Sequence, residues 1–343
     1  MKPTNSNSAL FLEVKQFLAG CKCLKEGVVI GVSGGADSIC LAHAVGCLLK
    51  KETCKKLVIA HLNHNARGTQ SDADEVFVQD FCFKIQKECV IDVVFKRHKL
   101  DFGETSTAPS WEKKARVARY DWFSKVALEE KVNTVFTAHT SNDQAETVLM
   151  RLIRGTGVQG LEGIKVRRKL SKGVQLARPI LSCPKAQVIS YLNENKISWR
   201  EDSSNLDTKY LRNRIRLQLI PLLRSEFQPA IDSILSNLAG HIHHYRSLEK
   251  RLAYKIGLIV EKPRVDQFVI LDREKLSGFS FWKIALFLRS LFAREKWGAD
   301  AINFKQWRNL SLKICAEGFE AHLTAGIRIR TNRFTVIIGP HQS

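Results

Sequence analysis

Ser33-Gly34-Gly35-Ala36-Asp37-Ser38 lies between two apolar runs, one ending at Val32 and one beginning at Ile39. A turn from strand to helix leaves backbone N–H groups unpaired at the positive end of the helix dipole, which is an anion site. Gly34 and Gly35 let the backbone curl tightly and come close to the anion. Ser33 and Ser38 add hydroxyl donors. Neither G-x-x-x-x-G-K-[ST] nor G-x-G-x-x-G is present, which excludes the lysine-bearing P-loop and the dinucleotide fingerprint. Asp37 would repel a bare phosphate. It fits the turn if it holds Mg²⁺, which then bridges to the phosphates. The local alternative is a small-residue turn with Asp37 as a helix N-cap.

The surrounding segments must place this turn. Gly27–Val32, Leu57–His61, Val90–Phe95 and Thr134–His139 read as strands, because they are short, apolar and rich in β-branched residues. Ser38–Leu49, Ser71–Lys87 and Ser110–Glu129 are long enough to be crossover helices between them. The alternation predicts an α/β fold with a doubly wound parallel sheet, whose ligands sit beyond the carboxyl ends of the strands. After Gly155 the pattern loosens. Gly160, Gly163 and Gly173 read as loop, with a basic cluster over Ile164–Lys172. Pro184–Asn195 and Pro229–Ile256 read as helices, the second long enough to join two domains. A helical block at Phe281–Arg294 and alternation at Ile327–Arg330 predict a smaller mixed α+β domain at the C-terminal end.

The chain has 343 residues, and about 100–200 residues per domain suggests two domains. The boundaries expected are a catalytic domain over 15–218, a helical linker over 219–260 and a C-terminal domain over 261–343. A net charge of +20 predicts a polyanionic partner, nucleic acid by default. MKPTNSNSAL is polar, and Glu13, Lys15 and Gln16 interrupt the apolar run after it, which predicts a chain without an export signal. No run approaches the ~20 apolar residues of a membrane span, so no membrane partner is expected. Nine cysteines with no C-x-x-C pair predict reduced thiols in the cytoplasm. His241, His243 and His244 lack nearby carboxylate or cysteine ligands and read as a solvated helix face.

The turn resembles the SGGxDS signature of the PP-loop ATP pyrophosphatases, which cleave ATP between the α and β phosphates and transfer AMP to a substrate oxygen. Four further stretches narrow the resemblance: AHLNHNARG at 60–68, WEKKARVARY at 111–120, TAHTSNDQAETVLMRLIRGTGVQGLEG at 137–163 and REDSSNLDTKYLRNRIRLQLIPLL at 200–223. Together they are similar to the tRNA(Ile)-lysidine synthetase family, in order from about Val28 to Leu223. The C-terminal domain over 261–343 matches only in character, and the resemblance implies that it recognises the tRNA. The resemblance implies an ATP-dependent ligase. Such an enzyme adenylates the C2 oxygen of the wobble cytidine in tRNA(Ile) with a CAU anticodon. L-lysine then displaces AMP to give lysidine, and decoding changes from methionine to isoleucine.

Residue roles follow from the matched motifs. Ser33, Gly34, Gly35, Ala36, Asp37 and Ser38 would bind ATP, with His61 and Asn63 where adenine and ribose rest and His64 and Arg67 as weaker candidates. Asp37 and Asp143 would hold Mg²⁺. Glu146 lies three residues after Asp143 on one helical face, so this pair would also take the lysine ammonium. The same stretch predicts a helix start with Ser141 and Gln144 as a capping box. His139 and Arg119 would stabilise charge at the α-phosphate; Arg116 lies one turn from Arg119, and the sequence leaves open which of the two arginines is a surface ion-pair partner. Asp143 or Glu146 would deprotonate lysine. His139-Thr140-Ser141-Asn142-Asp143 departs from the family's usual HHxDD at Thr140 and Asn142, so neither is expected to be essential. Arg167, Arg168, Lys169, Arg212, Arg214 and Arg216 are candidate tRNA contacts. The resemblance also admits a homodimer.

Two other readings share these features. A tRNA thiolase on the same fold would need sulfur handling. The absence of C-x-x-C counts against it, leaving only Cys183 as a candidate thiol. A non-catalytic RNA-binding protein with a decayed nucleotide fold is opposed by the intact turn together with Asp37 and Asp143.

Overall fold

Aliphatic and β-branched residues build the first sheet. In a computed structural model, which describes residues 8–21, 26–49, 56–63, 69–100, 111–201, 208–323 and 326–341, four strands pair in parallel. These are β1 (Val28–Gly31), β2 (Leu57–Asn63), β3 (Val93–Lys99) and β4 (Thr134–Phe136). The candidates His64 and Arg67 lie outside the described residues. A β-hairpin, β5 (Arg167–Ser171) and β6 (Val174–Ala177), completes the sheet; β6 is parallel to β4 and β5 is the antiparallel edge. The order is β3-β2-β1-β4-β6-β5. Strand order reverses between β1 and β4, so the crevice beyond their carboxyl ends is the topological switch point.

Both faces are covered. On one, Val28, Ile30, Leu57 and Ile59 pack with α1 (Ala9–Ala19), α2 (Ala36–Leu49), α3 (Thr69–Cys89) and, further along the chain, Val188, Tyr191 and Leu192. On the other, Val29, Val58, Ala60 and Val135 pack with Tyr120, Phe123, Val126 and Ala127 of α4 (Trp111–Glu129). Successive strand residues point to opposite faces, which explains the continuous apolar strands. Each fully buried aliphatic side chain contributes about 1.5–3 kcal/mol.

The region read as loop after Gly155 differs from expectation. Gly155 does end α5 (Ser141–Ile153), and a short helix α6 (Val158–Leu161) follows, but the basic cluster then folds as the β5–β6 hairpin. Gly173, at φ +82°, turns that hairpin. The expected helix near Pro184 is α7 (Lys185–Glu194), with Pro184 as its N-cap.

A helical run over 211–227 mixes α-turns with π-turns at Ile215–Leu219 and Leu223–Phe227. Ile215 and Ile220 pack against Ala145, Val148 and Leu149 of α5. Helix α8 spans Ile231–Val260, and its Leu235 and Ala239 join the same cluster. The chain divides into compact units at Met1–Ile242 and His243–Ser343, a boundary inside α8. Part of the stretch expected as linker therefore packs as the first unit's own core.

In the second unit, β7 (Val269–Asp272), β8 (Glu320–Leu323), β9 (Ile327–Thr331) and β10 (Thr335–Pro340) form an antiparallel sheet in the order β7-β10-β9-β8. Ile327 and Ile329 face inward, as the alternation predicts. They share a core with Phe287, Phe292 and Trp307 from α10 (Phe281–Glu295) and α11 (Phe304–Lys313); α9 (Arg273–Ser277) precedes these two.

Candidate active site

The turn after β1 is held by its own side chains. Ser38 Oγ donates to the Gly35 carbonyl at 2.9 Å and accepts from Ser33 N–H at 3.1 Å. Arg200 N–H donates to the Gly34 carbonyl at 3.0 Å. Gly34 adopts φ +92°, a conformation that favours glycine. Helix α2 begins at Ala36, so Asp37 stands in its first turn. The Lys185 ammonium, at the start of α7, donates to Asp37 Oδ1 at 2.7 Å. Burial pushes the Asp37 pKa up; Lys185 opposes the shift and the Asp143 carboxylate adds to it.

Asp143 reaches the same crevice from the start of α5. The capping box there is Thr140 with Asp143, in place of the expected Ser141 and Gln144. Thr140 N–H donates to Asp143 Oδ2 at 2.9 Å and its hydroxyl does so at 3.1 Å. Gln144 instead receives Ile164 N–H at 2.6 Å and donates to its carbonyl at 3.2 Å. Asn142 donates to Asp232 at 2.9 Å and accepts Lys185 N–H at 2.8 Å, which ties α5 to α7 and α8. The two positions that depart from HHxDD are thus structural anchors.

Arg212 and Arg216, one turn apart, close on the acidic pair. Arg212 donates to Asp143 Oδ1 at 2.7 Å and to Glu146 Oε2 at 2.8 Å. Arg216 donates to Glu146 Oε1 at 2.6 Å and Oε2 at 3.0 Å. All four carboxylate oxygens have partners. Burial raises the Asp143 pKa, but Arg212 and Arg216, with the Thr140 N–H, outweigh it and hold the group below the usual carboxylate range. This placement departs from the expectation of an outward basic run: of Arg212, Arg214 and Arg216, only Arg214 is exposed, and the other two are half-buried.

His139 follows β4 across the switch point. Arg178 Nε donates to its Nδ1 at 3.2 Å, and the Thr137 hydroxyl lies at 3.2 Å from the same nitrogen. A nitrogen accepting from a guanidinium carries no proton, so the ring is neutral with its hydrogen on Nε2. Burial drives the His139 pKa down, Asp143 opposes this, and Arg178 and Arg212 reinforce it. Arg178 is itself buried after β6. It shares Tyr120 with the guanidinium groups of Arg168 and Arg116, which lie 4.5 and 5.2 Å from the ring centroid. Burial would raise the Tyr120 pKa, but Arg116, Arg178 and Arg168 together bring it below the usual phenol value. Arg119 is half-buried on α4, one turn from Arg116.

At the end of β2, His61 Nδ1 donates to the Val32 carbonyl at 2.9 Å. Its Nε2 is buried without a hydrogen-bond partner among the described residues. An orphaned acceptor beside the turn suits the amino group of a purine. Asn63 is also buried and donates to Asp72 at 3.1 Å. On β5, Arg167 lies 4.6 Å from the Phe17 ring centroid and Lys169 is exposed, while Arg168 turns to Tyr120. Strand alternation splits the basic run between two faces.

Sequence reading missed Lys185 and Arg178. Lys185 gives no local signal, because Asp37 is 148 positions away. Arg178 does give one: a single charge in the apolar run Val174–Leu181 must find buried partners.

A parallel sheet with a glycine turn and convergent carboxylates at its switch point defines a nucleotide-handling α/β protein. The PP-loop domain family matches residues 7–223, and the chain belongs to that family. ATP is the nucleotide such a domain takes. The chain is 37% identical over 219 residues to the tRNA(Ile)-lysidine synthase of Clostridium tetani, covering 63% of this chain and 44% of that one. The synthase of Chlorobaculum tepidum is 36% identical, covering 63% and 62%. That of Clostridium acetobutylicum is 37% identical, covering 74% and 53%. The chain thus spans about half the length of the curated relatives it matches. Among solved structures, a U34-tRNA thiolase from Methanococcus maripaludis with its [4Fe-4S] cluster shares the fold at TM-score 0.52 and 20% identity, covering 68% of this chain and 78% of that one.

Proposed function

We propose that the chain ligates L-lysine to C2 of the wobble cytidine of a tRNA(Ile) with a CAU anticodon, using ATP through an adenylated tRNA intermediate. The observation that carries this reading is the placement of Asp37, Asp143, Glu146 and His139 around one crevice at the switch point. The three lysidine synthases similar to the chain over most of this unit supply the substrate class.

The turn over Ser33–Ser38 holds the departing pyrophosphate. His61 and Asn63 receive adenine and ribose. Mg²⁺ fits Asp37 and Asp143, because this ion commonly takes one or two protein carboxylates and completes its shell with phosphate oxygens. The Lys185 ammonium already stands on Asp37 where a cation would. When bound, Mg²⁺ would offset phosphate charge. His139 offers its Nε2–H as a neutral donor to an α-phosphate oxygen, and Arg119 adds positive charge from α4. Asp143 and Glu146 orient the lysine ammonium while sharing Arg212 and Arg216. Asp143, held ionised by those arginines, is a poor base, so the pair acts as an electrostatic anchor.

Arg167, Arg168, Lys169 and Arg214 contact tRNA phosphates. No helix among the described residues is long and apolar enough to cross a membrane, and a cytoplasmic enzyme, free to pair as a homodimer, suits this chemistry. Cys183, the thiol left to a thiolase reading, is buried and its pKa is pushed up to about 11 by burial, so it is an unreactive thiol. The test supplies ATP, Mg²⁺, labelled L-lysine and tRNA bearing CAU. Label should become acid-stable on the tRNA with one AMP released per lysine. Absence of label with an authentic tRNA overturns the reading.

A further inference from the structure

The second unit carries an aromatic surface that its core does not use. Phe281 and Trp282, at the start of α10, have ring centroids 4.4 Å apart at an interplanar angle of 36°. Trp282 continues to Phe304, the first residue of α11, at 5.9 Å and 34°. The Arg289 guanidinium lies 6.0 Å from the Phe304 centroid. Trp282 is 55% exposed and Phe304 is 59% exposed. Trp307, one turn after Phe304, has the opposite fate: it is buried, edge-on to Phe292 at 5.2 Å.

The two helices that carry these rings are predominantly basic, with Glu295 at the far end of α10 as their one carboxylate. Neither 281–294 nor 304–316 contains an aspartate or glutamate. Lys283, Lys305 and Arg308 are exposed beside the rings, and Arg308 shares a helical face with Phe304. Flat exposed rings beside exposed cations match the two recognisable parts of a nucleotide. A base has a π-face and stacks on aromatic side chains or on a guanidinium plane, and the phosphate next to it takes a cation.

We propose that Phe281, Trp282, Phe304 and Arg289 form a platform on which an unpaired nucleobase of RNA stacks, with Lys283, Lys305 and Arg308 taking the adjoining phosphates. This rests on the reading above that the substrate is RNA. The platform belongs to the second unit, whereas the turn, the carboxylate pair and His139 all belong to the first. Its role is to hold a single-stranded or looped part of the RNA by stacking, without reading sequence through base edges.

The test uses the full chain without ATP or lysine and measures binding of a labelled tRNA transcript and of a labelled single-stranded RNA oligonucleotide. Stacking is worth enough per base that Trp282→Ala with Phe304→Ala should weaken both by about tenfold or more. The salt slope should not change, because no ion pair is removed. Lys283→Gln, Lys305→Gln and Arg308→Gln should flatten that slope, and Trp282→Phe should keep most of the affinity. A second readout does not depend on the double variant: RNA should quench tryptophan fluorescence in the unmodified chain and do so less in Trp282→Phe. Unchanged RNA affinity in the folded double variant overturns the platform. So does a double variant that keeps RNA but loses anionic phosphatidylserine vesicles, or one that keeps RNA but loses self-association; these assign the face to a membrane or to a second copy. A chain that binds no RNA at all refutes the substrate reading itself. RNA binding through the platform without lysine transfer refutes only the ligase assignment.

Discussion

Arg178 Nε donates to His139 Nδ1 at 3.2 Å, although the two residues come from different strand ends, after β6 and after β4. The contact fixes a tautomer. With Nδ1 as acceptor, the histidine proton sits on Nε2, where it can be donated to a substrate oxygen. A cationic imidazole is disfavoured first by burial and then by the guanidinium groups around it.

The first prediction follows from that neutrality. An ordinary histidine titrates near pH 6.5. His139 should show no titration of its ring proton in NMR between about pH 5.5 and 8. The sign for stability is fixed as well. Below about pH 6.5 the unfolded state takes up a proton that the native state refuses, so stability is lost as pH falls, by about 1.4 kcal/mol per pH unit for one proton. His139→Gln should remove that component of the pH dependence in urea unfolding. A ring that titrates normally would contradict the assigned tautomer.

The contact also explains how much was legible beforehand. The sheet, its helices and the turn announce themselves locally, through continuous apolar strands and the sequence SGGADS. Asp37, His139 and Asp143 lie within or next to such motifs. Arg178 and Lys185 do not, because their partners are about 40 and 148 positions distant and only tertiary packing brings them in. Arg212 and Arg216 were visible as charges, but a charge run carries no record of which way it faces. The β5–β6 hairpin was hidden because Gly173 and its basic residues look like loop, and edge pairing overrode that preference.

Glu146 provides the second prediction. Its side chain is 4% exposed and both oxygens accept from arginines. Glu146→Ala leaves Arg212 and Arg216 partly buried with one carboxylate between them. The loss, reduced by their partial exposure to water, should be about 2 kcal/mol in urea unfolding. If the pair anchors lysine, Glu146→Gln should raise the KM for lysine about tenfold or more while ATP–pyrophosphate exchange in the presence of tRNA changes little. Equal losses in both steps would make Glu146 purely structural.

Asp37 and Lys185 make a paired test. Asp37→Asn should abolish AMP formation while tRNA affinity stays within about twofold, because the tRNA contacts proposed lie elsewhere. Lys185→Met should leave Asp37 without its cation and make activity more dependent on Mg²⁺ concentration. Loss of tRNA binding in Asp37→Asn would mean that the residue supports the fold. A Lys185→Met enzyme with unchanged Mg²⁺ dependence would separate Asp37 from the metal.

Two glycines three residues apart should fail in different ways. A Cβ on Gly31 would lie 2.5 Å from Phe123 Cζ, a buried ring of α4, so Gly31→Ala must push helix and sheet apart. That overpacking should cost about 1–3 kcal/mol in urea unfolding. ATP use by the molecules that remain folded should be nearly normal. A Cβ on Gly34 meets nothing closer than 3.6 Å, so there is no clash, but φ +92° is strained for any side chain. With no clash to relieve, Gly34→Ala should lose less stability and much more ATP-dependent pyrophosphate release, because the strain falls on the backbone that binds the anion. The contrast is the informative result: a strand glycine chosen for packing should show in the unfolding midpoint, and a turn glycine chosen for its backbone should show in the KM for ATP. The reverse assignment would mean that the anion-binding geometry of the turn survives a side chain at Gly34, and that the backbone N–H groups there are not what holds the phosphates.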